Sequence, residues 1–139
     1  MSSHQPITPH AALIYTMILV SAADRDMNDF EFSEIGIVAQ RLPVFRDFDA
    51  DRLTETAQEC AVLVSARDGL EKILSLISNA LPAHLHETAF ALACEVAASD
   101  RKINAEEKRI LELLRRHLGI NELAAAAIEH AAEVRTRTL

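Results

Sequence analysis

The stretch SAADRDMNDFEFSEI, Ser21 to Ile35, returns in outline as AASDRKINAEEKRIL, Ala97 to Leu111, and this repetition constrains the fold more than any other feature of the chain. Val20 pairs with Val96, Ala22 with Ala98, Asp24 with Asp100, Arg25 with Arg101, Asn28 with Asn104 and Glu31 with Glu107, all at one constant separation and without a gap. The apolar positions agree as well: Met27 with Ile103, Ile35 with Leu111, Val38 with Leu114 and Leu42 with Leu118. Each copy therefore reads as a helix, a tight turn and a second helix. Two such αα-hairpins, at residues about 11–45 and about 89–120, with two other helices between them, imply a duplicated unit packed about a rough two-fold.

The remaining periodicity predicts an all-α bundle of about seven helices in one domain, residues 1–139. Pro9 can start a first helix that is apolar over most of its circumference, with Leu13, Ile14, Met17, Ile18 and Val20, and so belongs near the centre. Ile35, Val38 and Leu42 repeat at helical spacing until Pro43, and PVFRDFDAD reads as a linker. Leu53, Ala57, Cys60, Ala61 and Val64 form one expected inward stripe and Leu70, Ile73, Leu74 and Ile77 another, separated at Asp68–Gly69. Pro82 is expected to open a helix with Leu85, Ala89, Leu92 and Val96 inward. Gly119 closes the next one, and Asn121 caps a last helix to about Arg135. Few Gly and Pro beside abundant Ala, Leu, Ile and Glu agree with helix over sheet.

Charge and cysteine usage bound the function. A net charge of −7 without a concentrated basic face excludes phosphate-backbone binding, so nucleic acid is not an expected partner. Cys60 and Cys94 sit in apolar helical patterns and read as buried, reduced thiols. The amino terminus, MSSHQPITPH, has no basic region leading into an apolar core, and no apolar run reaches about 18 residues, so the expectation is a cytoplasmic chain with no membrane-spanning segment. His84 and His86 lie two apart and point in different directions on a helix; His4, His10, His117 and His130 are scattered and read as surface groups. No nucleophile elbow, phosphate loop or metalloprotease helix is present, and the chain is not expected to be an enzyme. Phe30, Phe32, Phe45 and Phe48 gather near the first turn and the linker, where they either close the end of the core or present an apolar patch to a partner protein. Another protein, or a second copy of this chain, is the expected partner.

The repeated turn carries the candidate chemistry. Asn followed three residues later by Glu is a form of capping box, worth roughly 1 kcal/mol. Asp24 and Asp100 fall where a long apolar helix ends and its dipole disfavours an acid by about 0.3–1 kcal/mol, so each needs a partner: the start of the next helix, the adjacent Arg25 or Arg101, or a bound cation. A calcium EF-hand fails on inspection, because Asp29 stands where the loop needs Gly, Ile35 where it needs a bidentate Glu, and Lys102 where the second copy needs an acid. A cation here would be shared between copies or held with water, and hard oxygen ligands favour Ca²⁺ or Mg²⁺ over Zn²⁺.

The doubled Asp-x-x-[Met/Ile]-Asn-x-x-Glu hairpin in an all-helical chain resembles the TerB-like tellurite-resistance family, over nearly the whole chain from about Ala11 to Ile120. The usual Asp-Gly of that turn is replaced by Asp24–Arg25 and Asp100–Arg101, which places a counter-ion beside each acid. The resemblance implies an all-α, mostly bacterial, non-enzymatic accessory protein of the response to tellurite and other stress. It also implies metal binding through acids of both repeats, which by position are Asp24, Glu31, Asp100 and Glu107. The alternative is a protein–protein or co-chaperone-like adaptor without a metal. A related domain occurs in a membrane-anchored co-chaperone, whose His-Pro-Asp signature and membrane segment are missing here.

Overall fold

The computed structural model describes residues 6–23, 29–99 and 103–139. Among them are seven α-helices and no strand: α1 (Pro9–Ser21), α2 (Asp29–Arg41), α3 (Leu53–Ser65), α4 (Gly69–Ala80), α5 (His86–Ala98), α6 (Ala105–His117) and α7 (Glu122–Arg135). The all-α expectation holds.

α1 is the central element. Thr8 caps it by accepting from the Ala11 N–H at 3.0 Å, Pro9 occupies the first helical position, and every residue from Ala12 to Ser21 is buried. The helix packs against α2, α3, α4, α5 and α6, which leaves no polar face to direct outward. Thr16 is accommodated because its hydroxyl donates to Ala12 O within the helix at 2.8 Å. α5 is the second most enclosed helix, with Ala89, Phe90, Leu92, Ala93, Cys94 and Val96 through Ala98 buried. Small alanines on α5 permit its close approach to α1 and α7.

The two hairpins have matching frames. α2 and α6 are both thirteen residues long and begin immediately after the paired positions Asn28 and Asn104, so their ends coincide under the sequence alignment. α1 and α5 are also thirteen residues each, with α5 starting and ending one position later.

Three expectations are corrected in detail. The α3 stripe is rotated: Thr56 and Cys60 are buried, with Leu53, Ala57 and Leu63 partly so, whereas Ala61 and Val64 are exposed. Thr56 tolerates the inward position because its hydroxyl donates to Arg52 O at 2.8 Å. Leu42 does not continue α2 inward, since the residue before Pro43 takes an extended backbone and projects partly to solvent. Pro82 opens a 3₁₀ turn, Ala83–Leu85, and α5 begins only at His86. The linker itself contains 3₁₀ turns at Pro43–Phe45 and Ala50–Arg52, and Phe45 from the first is buried in the core. Gly69 is required where α4 begins: an added Cβ would collide with the carbonyls of Leu63 and Val64. Gly119, at φ +66°, ends the α6 turn in the left-handed region.

Histidines and arginines tie helix ends together. The ring nitrogens of His86 lie 3.0 Å from Leu118 O and 3.0 Å from Leu81 O, so the first residue of α5 bridges the ends of α6 and α4. A neutral imidazole can donate to only one of them at a time. Arg115 reaches Ile120 O at 3.1 Å while binding Glu112, whose exposed carboxyl is held down to about 2, chiefly by its hydrogen bond with Arg115 and then by Arg116. α7 docks on α5 through buried Ala125 and Ala132 and through Arg135–Glu95 at 2.6 Å.

The expected buried, reduced thiols are found: Cys60 and Cys94 are both free and buried. Burial pushes both thiols from 9.0 to about 12 and the Tyr15 phenol from 10.0 to about 12. Below about pH 9 each thiol keeps its proton whether the chain is folded or unfolded; above that only the unfolded chain ionises, so stability falls as pH rises toward 12. Denaturant titrations at stepped alkaline pH should show this loss in the native sequence and a shallower one in Cys60→Ala/Cys94→Ala. In the same assay at neutral pH, His86→Ala should cost about 1–3 kcal/mol because buried carbonyls lose their donor, whereas exposed His84→Ala should stay within about 0.5 kcal/mol.

Candidate functional site

In the second hairpin the cap predicted from sequence is present in full. Asn104 has an extended backbone and its side-chain Oδ1 accepts from the Glu107 N–H at 2.8 Å. Glu107 Oε1 in turn accepts from the Asn104 N–H at 3.0 Å. Two otherwise orphaned donors at the start of α6 are thereby satisfied. The carboxyl-bearing residue is buried, with only 3% of its surface exposed, at the positive end of the helix. Glu107 thus has a structural role whatever else it does.

Glu31 is the third residue of α2, as Glu107 is the third of α6, and it is partly exposed. Asp24 and Asp100, the other two acids predicted for a metal, lie outside the described residues, as do Arg25, Asn28 and Arg101. The described part of the site consists of two glutamates at equivalent positions of equivalent helices. Among the described residues no group of three or more His, Cys, Asp or Glu is arranged to hold a metal ion.

One further oxygen lies at the end of α1, the helix that precedes the first turn in sequence. Ser21, the last residue of α1, is buried, and its Oγ has no hydrogen-bond partner among the described residues. Leaving such a group unsatisfied costs about 1–3 kcal/mol, and Ser21 is three residues before Asp24 in the sequence. A neutral hard oxygen of this kind suits Ca²⁺ or Mg²⁺ better than Zn²⁺. Comparison of the repeats conceals Ser21, because Ala97 stands at its place in the second copy. The signal that could have found it is the serine's position in the buried arc of an otherwise apolar helix.

Several other reactive side chains are committed to structure. His10 and His117, read from sequence as surface groups, are part-buried. His10 meets Val44 O at 2.9 Å and stacks on Phe45 with ring centroids 5.7 Å apart, and His117 meets Leu113 O at 3.1 Å. His130 is exposed as expected. The phenylalanines divide: Phe45 is buried, Phe32 and Phe48 are partly so, and Phe30 is 59% exposed at the start of α2. Phe45 lies in the core and Phe48 packs against it, while Phe30 leaves one apolar ring exposed at the start of α2. No helix among the described residues is long and apolar enough to cross a membrane.

No curated protein and no solved structure matches the chain significantly. The family model described as Tellurite resistance protein TerB matches residues 10–132, a span that runs from the start of α1 into the last helix and contains both repeated hairpins, and the chain belongs to that family.

Proposed function

We propose that this chain is a non-enzymatic accessory protein of the tellurite-resistance type, acting in the cytoplasm in a stress response, and that its ligand at the repeated turns is a divalent cation. Asp24, Glu31, Asp100 and Glu107 would hold the ion, with Ca²⁺ or Mg²⁺ favoured over Zn²⁺. The observation that carries this reading is the Ser21 hydroxyl at the end of α1, buried and without a partner among the described residues. The equivalent placement of Glu31 and Glu107 supports it. Carboxylates about 4 Å apart repel by about 4 kcal/mol at an effective dielectric of 20, so a bound cation would relieve whatever repulsion the turns contain. Tellurite is an anion, and these acids offer it no direct site.

The second reading is an adaptor without a metal, favoured by exposed Phe30 beside the same turn. Buried thiols held near 12 and histidines bonded to backbone carbonyls support a binding role over catalysis in either case.

Calorimetric titration of chelator-treated protein with Ca²⁺, Mg²⁺, Mn²⁺ and Zn²⁺ tests the cation reading. Saturable Ca²⁺ or Mg²⁺ binding should disappear in Asp24→Asn/Asp100→Asn and weaken in Ser21→Ala. Absence of binding to the native protein, with a loss of stability in the double variant, would leave two capped hairpins and the adaptor. Independently of the ion, Asn104→Ala should lower unfolding stability by about 1 kcal/mol through loss of its cap, read from the urea midpoint.

A further inference from the structure

An open groove of about 790 Å³ runs between the start of α1, the segment around Phe48 and the outward side of α3, and it uses none of the residues of the repeated turns. Phe48 forms part of its wall and is braced edge-on by His10 and Phe45, at centroid distances of 5.5 and 5.9 Å. Val62 adds an aliphatic surface that is 69% exposed. Four carboxylates also line it, Asp47, Asp49, Glu55 and Glu59, against one arginine, Arg52, which is already bound to Glu55 at 3.0 Å. Asp49 accepts from the Asp51 N–H, whereas Asp47 and Glu59 have no ion-pair partner among the described residues.

Tyr15 supplies an independent observation. The residue is only 2% exposed, lines the groove, and its hydroxyl makes no hydrogen bond with any described residue. Burial of the residue, with Cys60 and Glu59 nearby, pushes the phenol up to about 12, so at neutral pH the hydroxyl keeps its proton and is an O–H donor with solvent access and no acceptor among the described residues. A carboxylate ligand would be repelled by the rim, and a wholly apolar ligand would bury those acids unpaired. A single metal ion is a poor fit, because the described acids include no group arranged to hold one.

We propose that the groove docks a basic amphipathic segment of a partner protein, whose backbone carbonyl accepts from Tyr15, whose apolar side chain lies on Phe48 and Val62, and whose lysines or arginines meet Asp47 and Glu59. Charge complementarity selects the partner, and the available Tyr15 donor favours a peptide, which brings carbonyl acceptors, over a polyamine, whose ammonium groups only donate.

The test is selection of a displayed library of random peptides, about twelve residues long, on the immobilised full chain with chelator present, so that its outcome is separate from that of the cation titration. Enriched peptides should combine Lys or Arg with apolar residues. Their affinity should fall about fivefold for Tyr15→Phe, the equivalent of one hydrogen bond. It should fall about tenfold for Asp47→Asn/Glu59→Gln at low salt, with that loss shrinking as salt rises. No enrichment, enrichment of acidic or uncharged peptides, or binding insensitive to both variants overturns the proposal. Displacement of the selected peptides by spermine at comparable concentration would also overturn it, in favour of a polyamine site.

Discussion

The constraint on which the rest of the structure depends is the complete burial of α1 beyond its first turn. A helix with apolar residues on all sides is stable in water only when other helices cover every side. Each of Leu13, Ile14 and Met17, at 0% exposed, contributes about 1.5–3 kcal/mol through that enclosure. The surrounding helices are amphipathic in consequence: α4 turns Ile73, Leu74 and Ile77 inward and α6 turns Ile110, Leu111 and Leu114 inward. The two buried threonines, Thr16 and Thr56, are satisfied locally, each hydroxyl donating to the carbonyl four residues earlier. The Ser21 hydroxyl at the end of α1, buried and without a partner among the described residues, departs from that pattern.

The same economy governs the groups that could have carried chemistry. His86 joins three helix ends, His10 braces an aromatic cluster, and the two thiols are held far above neutral pH by burial. Carboxylate oxygen and exposed apolar surface remain available for recognition. In the second hairpin even a carboxylate is partly committed, since one Glu107 oxygen starts α6. A capping glutamate is well suited to a second role near an ion, because the cap fixes its side chain before any ligand arrives.

Local signals were legible in the sequence wherever one residue determines the backbone. Pro9 opens α1, Gly119 closes the α6 turn, and Asn121 caps a helix that runs to Arg135 as expected. All-round apolarity placed α1 at the centre correctly. The rotation of α3 was not legible, because Thr56 counts as polar in a periodicity pattern although its hydroxyl is silenced by Arg52 O. The roles of His10, His86 and His117 were hidden for a related reason: each depends on a carbonyl whose position is set by packing or by a helix end. At the candidate site the repeat exposed Glu31 and Glu107, which are shared, and concealed Ser21, which is not. Tyr15 was equally silent, since a single hydroxyl in an apolar run gives no indication of which neighbour it will lack.

Tyr15 has one more consequence. The chain contains no tryptophan and only this one tyrosine, so its near-ultraviolet emission originates at a single ring, seated between the central helix and the acidic groove. The protein is therefore faint in absorbance but carries a native optical probe at one known address. Quenching, anisotropy and lifetime of that one fluorophore report on the core and on the groove without any label being introduced.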